Sequence, residues 1–130
     1  MTDAASTLPS EGALVVSIVS HGHGALVERL LTQMAQFKST PVTRVILTQN
    51  LPEPRPVPPV RGWPFVLDLL CNAVPRGFGD NHNRALENAC EPFVCVLNPD
   101  VTLVGDMDPF VILVSCAAQS GVGCAYPRQV

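Results

Sequence analysis

The sequence lacks an excess of positive charge and has few aromatic side chains. Eight Lys and Arg residues are outnumbered by eleven Asp and Glu residues, and there is one Trp and one Tyr. Proteins that bind nucleic acid usually carry a basic surface, and those that bind single strands usually stack bases on aromatic rings. We therefore expect no nucleic acid partner.

Long apolar runs and paired cysteines are also missing. The apolar runs are too short to cross a bilayer, and residues 1–12 lack the basic start of a signal peptide. We expect a cytoplasmic protein, with peripheral contact at the inner face of a membrane as a further option. The five cysteines are odd in number and form no C-x-x-C pair, so we expect mainly buried, reduced thiols.

The remaining composition is that of a packed domain that mixes strands and helices. At 130 residues, with 47% apolar and only 15% charged side chains, the chain suits one domain over residues 13–130 after a flexible leader, 1–12. Short apolar runs predict strands, and apolar residues at helical spacing predict helices. The predicted strands are 14–20, 42–48, 65–71, 93–97 and 122–126, and the predicted helices are 25–37, 81–89 and 109–118.

This alternation predicts a Rossmann-like, three-layer α/β/α fold with a mainly parallel central sheet. The uninterrupted apolar run at 93–97 is typical of a strand covered on both faces. Six prolines in 51–64 predict an extended surface connection, and together with Asp68 they place the following strand at the sheet edge. Asp80 or Asn81 is expected to cap the second helix and Asp108 the third, which Gly121 would end.

Polar or glycine residues follow four of the predicted strands. They are His21-Gly22, Asn50, Asn72 and Asn98-Pro99-Asp100. In a parallel sheet these strand ends meet at the end where α/β proteins bind ligands. The turn at 77–79 adds free N–H groups at a helix start, which favour an anion. One carboxylate, several amides and such a turn suit a diphosphate carried by a divalent cation.

Each of these residues also has a simpler interpretation. His21 and His23 can be solvated loop side chains, Asn50 and Asn98 can satisfy loop backbone, and Asp100 can form a turn. The glycines around Phe78 match neither common phosphate-binding motif. The combination of these residues favours a site.

The segments 14–24, 45–50 and above all 77–101, with Gly-Phe-Gly-Asp-Asn-His-Asn and Leu-Asn-Pro-Asp, resemble a known family. They look like the amino-terminal half of a family 2 glycosyltransferase of the GT-A fold, in its rhamnosyltransferase-like group. The resemblance implies metal-dependent transfer of a sugar, with inversion, from a UDP-, dTDP- or GDP-linked donor to a glycan or lipid-linked acceptor. Cell wall or polysaccharide biosynthesis would be the setting.

The resemblance also implies residue roles. Asp100 would bind Mg²⁺ or Mn²⁺ beside the diphosphate, with Asn98 in the same motif. The nucleotide would contact the first loop, and the donor pocket would include the turn before the second helix. The implied donor-binding residues are Ser20, His21, Gly22, Asn50, Asn72, Gly77, Phe78, Asn83, Asn98 and Asp100.

The chain departs from the family pattern at several positions. Gln49-Asn50 stands where an acidic residue is usual, Pro75-Arg76 where a second Asn is frequent, and Asn98 where the metal motif often begins with Asp. No residue can be nominated as the general base, which inverting transfer requires. We expect that the acceptor half is missing and that an oligomer or a partner chain covers the open face. The alternatives are a non-catalytic nucleotide-binding remnant and a nucleotidyltransferase of similar architecture.

Overall fold

The structure is a computed structural model that describes residues 14–38 and 40–128. The leader predicted at 1–12 lies outside these residues. Within them the chain forms four strands and three helices. The strands are β1 (Leu14–Ser20), β2 (Val42–Gln49), β3 (Val66–Cys71) and β4 (Phe93–Leu97), and the helices are α1 (Gly24–Ala35), α2 (Phe78–Leu86) and α3 (Pro109–Ala117).

The four strands form one sheet in the order β3-β2-β1-β4, and every neighbouring pair is parallel. An all-parallel sheet needs helices on its faces, because each connection must cross from one end of the sheet to the other. The predicted α/β class with a parallel sheet is confirmed. So is the edge position of β3, which carries Asp68.

Two apolar clusters give the molecule three layers. On one face of the sheet, α1 and α3 pack with Val16, Ile18 and Val45 in the larger cluster. On the other face, Ala85 of α2 packs with Val15 and Ile46. Alternating side chains of β1 therefore enter opposite clusters, so the central strands are buried on both faces.

The prediction that β4 is covered on both faces is wrong. Val94 and Val96 are 52% and 49% exposed, whereas Phe93, Cys95 and Leu97 pack against the larger cluster. The physical reason is position: β4 is an edge strand, and α2 packs over β1 and β2 rather than over β4. The apolar run identifies the strand correctly but does not reveal this exposed face.

The N-cap predicted for the third helix is confirmed, and the one predicted for the second helix is wrong. Asp108 caps α3, and its Oδ1 accepts a hydrogen bond from the backbone N–H of Phe110 at 2.8 Å, as expected. The second helix begins at Phe78 with Gly77 as its N-cap, so neither Asp80 nor Asn81 has the predicted capping role. The Asn81 side chain is buried and bonds to other residues instead.

Two other expectations are wrong. Residues 122–126 form no strand, and Tyr126 is 81% exposed, because this short, glycine-containing segment pairs with no neighbouring strand. Cys71, Cys90, Cys116 and Cys124 are exposed rather than buried. Gly121, at φ +85°, follows the end of α3 as predicted.

No helix among residues 14–38 and 40–128 has the length and apolar character needed to cross a membrane.

Candidate functional site

A cleft of about 560 Å³ opens at the C-terminal end of the sheet, beyond the ends of β1, β2 and β4. One wall is the β1–α1 loop with His21 and His23, and another is the segment after β4 with Asn98, Pro99 and Asp100. Asn50 lies at the end of β2, and Arg76, Phe78 and Asn81 come from the start of α2. The cleft thus brings together five of the predicted donor-binding residues: His21, Asn50, Phe78, Asn98 and Asp100.

The side chain of Asn50 holds the segment before α2 in place. Its Oδ1 accepts from the backbone N–H of Arg76 at 2.8 Å and from Nδ2 of Asn72 at 2.8 Å. Its Nδ2 donates to the carbonyl oxygen of Arg76 at 3.0 Å and to Nδ1 of His21 at 2.9 Å. An amide has two donors and two acceptor positions, so the whole hydrogen-bonding capacity of this side chain is used within the protein.

Asn81, which lines the cleft, and Asn72 behind it extend this arrangement. Nδ2 of Asn72 also donates to Oδ1 of Asn81 at 2.7 Å, while its Oδ1 accepts from Arg84. Nδ2 of Asn81 donates to the Arg76 carbonyl at 3.2 Å. Asn72 does not line the cleft, and it supports the residues that do. Its position favours a supporting role over direct ligand contact.

Glu53 is a functional candidate that sequence reasoning did not find. Its carboxylate accepts hydrogen bonds from the Ser20 hydroxyl at 2.8 and 2.9 Å and from the Gly22 backbone N–H at 3.0 Å. The Ser20 hydroxyl in turn accepts from the backbone N–H of His23 at 3.1 Å. These contacts join the proline-rich segment to the β1–α1 loop, and they occupy the polar groups of Ser20 and the N–H of Gly22.

The Glu53 contact leaves little space at the start of α1. A Cβ atom added at Gly24 would lie 3.1 Å from Oε1 of Glu53, and Gly22 adopts φ +79°, which glycine reaches without strain. Gly24 therefore permits the close approach of the carboxylate, and Gly22 permits the left-handed backbone of the loop. The only sequence signal for the contact is an acidic residue in a proline-rich segment. That signal does not indicate which residues the carboxylate contacts.

Gly77 and Asn83 do not line the cleft. Gly77 caps α2, and Asn83 lies on the exposed side of that helix. Arg76 contributes a positive charge to the cleft wall, and its Nη1 lies 3.9 Å from Oδ2 of Asp80, a long contact between two exposed side chains. Such a pair contributes little to stability, so the guanidinium is available to a ligand.

A buried histidine lies behind the cleft. Nδ1 of His82 is 2.8 Å from the Ser17 hydroxyl, and its Nε2 is buried without a hydrogen-bond partner. Burial lowers the pKa of His82 below its ordinary value of 6.5. Its ring meets that of Phe78 edge to face, with centroids 4.5 Å apart, so this buried ring supports a residue of the cleft wall.

Asp100 is exposed and lies beside the exposed amide of Asn98. Among the described residues there is no group of three His, Cys, Asp or Glu side chains that could hold a metal ion. Mg²⁺ is commonly bound by one or two carboxylates together with water and substrate phosphates. Asp100 with the Asn98 amide therefore suits a cation that arrives with a phosphate ligand better than a resident metal.

No family model matches this chain, and comparison with curated proteins and with solved structures likewise found no match.

Proposed function

We propose that the cleft binds the diphosphate of a nucleotide-linked sugar, and that the chain is a GT-A-type glycosyltransferase domain. The observation that supports this most is convergence. His21, Asn50, Phe78 and the segment 98–100 are far apart in the sequence, were each expected at a ligand site, and line one cleft. Its location beyond the C-terminal ends of parallel strands is where α/β proteins bind nucleotides.

Different walls of the cleft would contact different parts of the ligand. Arg76 and the backbone N–H groups at the start of α2, which has no side-chain cap, attract phosphate oxygens. Asp100 and Asn98 would hold Mg²⁺ or Mn²⁺, which when bound would neutralise charge on the leaving diphosphate. The position of Phe78 suits contact with an apolar part of the donor.

A second candidate is binding of a nucleotide without turnover. Of the described residues that line the cleft, Asp100 is the one carboxylate, and it is assigned to the cation. Inverting transfer requires a base to take the proton of the acceptor hydroxyl. Glu53, whose carboxylate reaches the β1–α1 loop, already accepts hydrogen bonds from Ser20 and Gly22. This observation favours a binding module wherever the chain acts alone.

Donor binding is tested by thermal shift with UDP-, dTDP- and GDP-sugars in the presence of Mn²⁺. We expect at least one donor to raise the melting temperature, and Asp100→Ala to remove the part that depends on Mn²⁺. Asp106→Ala is a matched control, because Asp106 is also an exposed carboxylate but does not line the cleft.

Turnover is measured separately, as release of the nucleoside diphosphate from the donor that binds. Release would favour the enzyme, and binding without release would favour the module. A melting temperature that no donor changes, with or without Mn²⁺, would overturn both candidates.

A further inference from the structure

The orientation of the Asn50 amide is fixed by the backbone of a single residue. Its Oδ1 faces the N–H of Arg76 at 2.8 Å, and its Nδ2 faces the C=O of the same residue at 3.0 Å. A flipped amide would set two donors against each other and two acceptors against each other. The group that faces His21 is therefore the amide nitrogen, which can only donate.

That donor determines which nitrogen of His21 carries the proton. Nδ2 of Asn50 lies 2.9 Å from Nδ1 of His21, so Nδ1 must be the acceptor. A neutral imidazole has one donor nitrogen and one acceptor nitrogen. His21 is consequently the tautomer with its proton on Nε2.

The same reasoning applies to His23 through a different donor. The backbone N–H of His21 donates to Nδ1 of His23 at 3.1 Å, and a backbone N–H has no acceptor alternative. His23 therefore also carries its proton on Nε2. The two rings lie on one wall of the cleft, and both are exposed.

From this geometry we infer that His21 and His23 are hydrogen-bond donors to an anionic ligand and do not ligate a metal through Nε2. A metal ion needs a nitrogen lone pair, and in both neutral rings the lone pair is on Nδ1 and already accepts a hydrogen bond. With the guanidinium of Arg76, the two Nε2–H groups form a set of donors suited to phosphate oxygens. The inference rests on the proposed function and specifies which residues hold the diphosphate.

The donor set predicts that part of the affinity for a diphosphate does not depend on a divalent cation. Asp100 is the residue assigned to a cation, and it belongs to the segment after β4 rather than to the loop that carries the histidines. A diphosphate bound by imidazole and guanidinium donors keeps these contacts when the cation is removed. EDTA should therefore weaken binding without abolishing it.

The tautomers are measured directly by long-range ¹H–¹⁵N correlation of the neutral histidine rings. We expect the pattern of an Nε2–H ring for both His21 and His23, with assignment by the variants His21→Gln and His23→Gln. An Nδ1–H ring, or an average of the two tautomers, at either residue would overturn the inference. This measurement needs no ligand, so it is independent of the proposed function.

Ligand binding is measured by calorimetry with inorganic pyrophosphate and with UDP, each with Mn²⁺ and with EDTA. His23→Ala and Arg76→Gln each remove one such hydrogen bond. Each variant should therefore bind about tenfold more weakly in EDTA. His23→Gln keeps a side-chain N–H donor of similar reach, and we expect it to recover part of that loss. Gln119→Ala is the control, because Gln119 is exposed and lies beyond α3. The melting temperature of each variant verifies that it folds.

The outcomes separate the inference from the proposed function. Binding in EDTA that falls in His23→Ala and recovers in His23→Gln supports both. Binding that appears only with Mn²⁺ and is unchanged in His23→Ala overturns the donor role of the histidines and leaves the proposed function standing. Binding of neither ligand under either condition overturns the proposed diphosphate site itself.

Discussion

The ion pair between Arg44 and Glu91 predicts how much unfolding free energy is lost when Glu91 is replaced, and over which pH range that loss changes. Nε and Nη2 of Arg44 each donate to one carboxylate oxygen of Glu91 at 2.8 Å, the two-bond geometry that favours this pair of side chains. Glu91 lies two residues before the start of β4, whereas Arg44 belongs to β2. The pair therefore ties the connection between α2 and β4 to the centre of the sheet.

The hydrogen bonds from Arg44 lower the pKa of Glu91 from 4.5 to about 2, and the carboxylate raises the pKa of Arg44 further. The difference between the two Glu91 values corresponds to roughly 3 kcal/mol. The side chains of Arg44 and Glu91 are 27% and 14% exposed, so solvent screens part of this energy. We expect Glu91→Gln to lower the free energy of unfolding at pH 7 by about 2 kcal/mol.

The pH dependence follows from the direction of the pKa change. A carboxyl group whose pKa is lower in the folded protein contributes its stabilisation fully above the unfolded value of 4.5. The contribution decreases as the pH falls and is lost near pH 2. The difference between the wild-type protein and Glu91→Gln should therefore be constant from pH 7 to pH 5 and shrink to less than about half by pH 3.

Urea unfolding at several pH values measures this difference. Trp63, the single tryptophan, stacks on Phe65 with ring centroids 5.8 Å apart and packs against the core, so its fluorescence reports unfolding. Asp68→Asn is the control, because Asp68 makes one contact to Arg44, at 3.2 Å, and is 44% exposed. Equal effects of the two variants, or a Glu91→Gln effect that does not change with pH, would refute the reasoning.

Three further predictions concern other parts of the molecule. Because burial lowers the pKa of His82, the unfolded chain binds its proton first, so the unfolding free energy should fall by up to about 1.4 kcal/mol per pH unit below 6.5. His82→Gln should remove that slope, measured between pH 7.5 and 5.5, and a slope that persists would assign it to another group. Asn50→Ala removes four hydrogen bonds and should lower the unfolding free energy by about 2–4 kcal/mol in urea. Asn83→Ala, on an exposed position, should cost less than about 0.5 kcal/mol, and equal costs would contradict the role of Asn50. Val96 is exposed on an edge strand, so sedimentation should show self-association of the wild-type protein. Val96→Lys should reduce this self-association and Val57→Lys should not. A wild-type protein that stays monomeric at high concentration would rule this out.

The sequence predicts the sheet well because local patterns identify its strands. The bounds of β1 and β4 match the predicted ones, since each apolar run ends abruptly, at His21-Gly22 or at Asn98-Pro99. The convergence of strand ends at one cleft follows from the parallel order alone, and for that reason the placement of Asp100 could be anticipated.

Contacts between distant segments could not be predicted. Glu53 reaches the Ser20 hydroxyl through a segment whose prolines indicate only an extended chain. The side chain of Asn81 suits a helix cap locally, but its bonds to Asn72 and Arg76 satisfy it elsewhere, and the helix begins three residues earlier. In both cases the decisive partner comes from another element of the fold.

The position of β4 in the sheet has a consequence for synthesis of the protein. In the order β3-β2-β1-β4, β1 is paired on one side by β2 and on the other by β4, which is made after β2 and β3, so Leu14 meets Phe93. A ribosome adds about 5–20 residues per second. Strands β1 to β3 can therefore assemble while the open side of β1 still waits for its partner. During that interval the unpaired edge of β1 can pair with other chains, and the wall of the cleft that carries Asp100 is the last of its walls to be made.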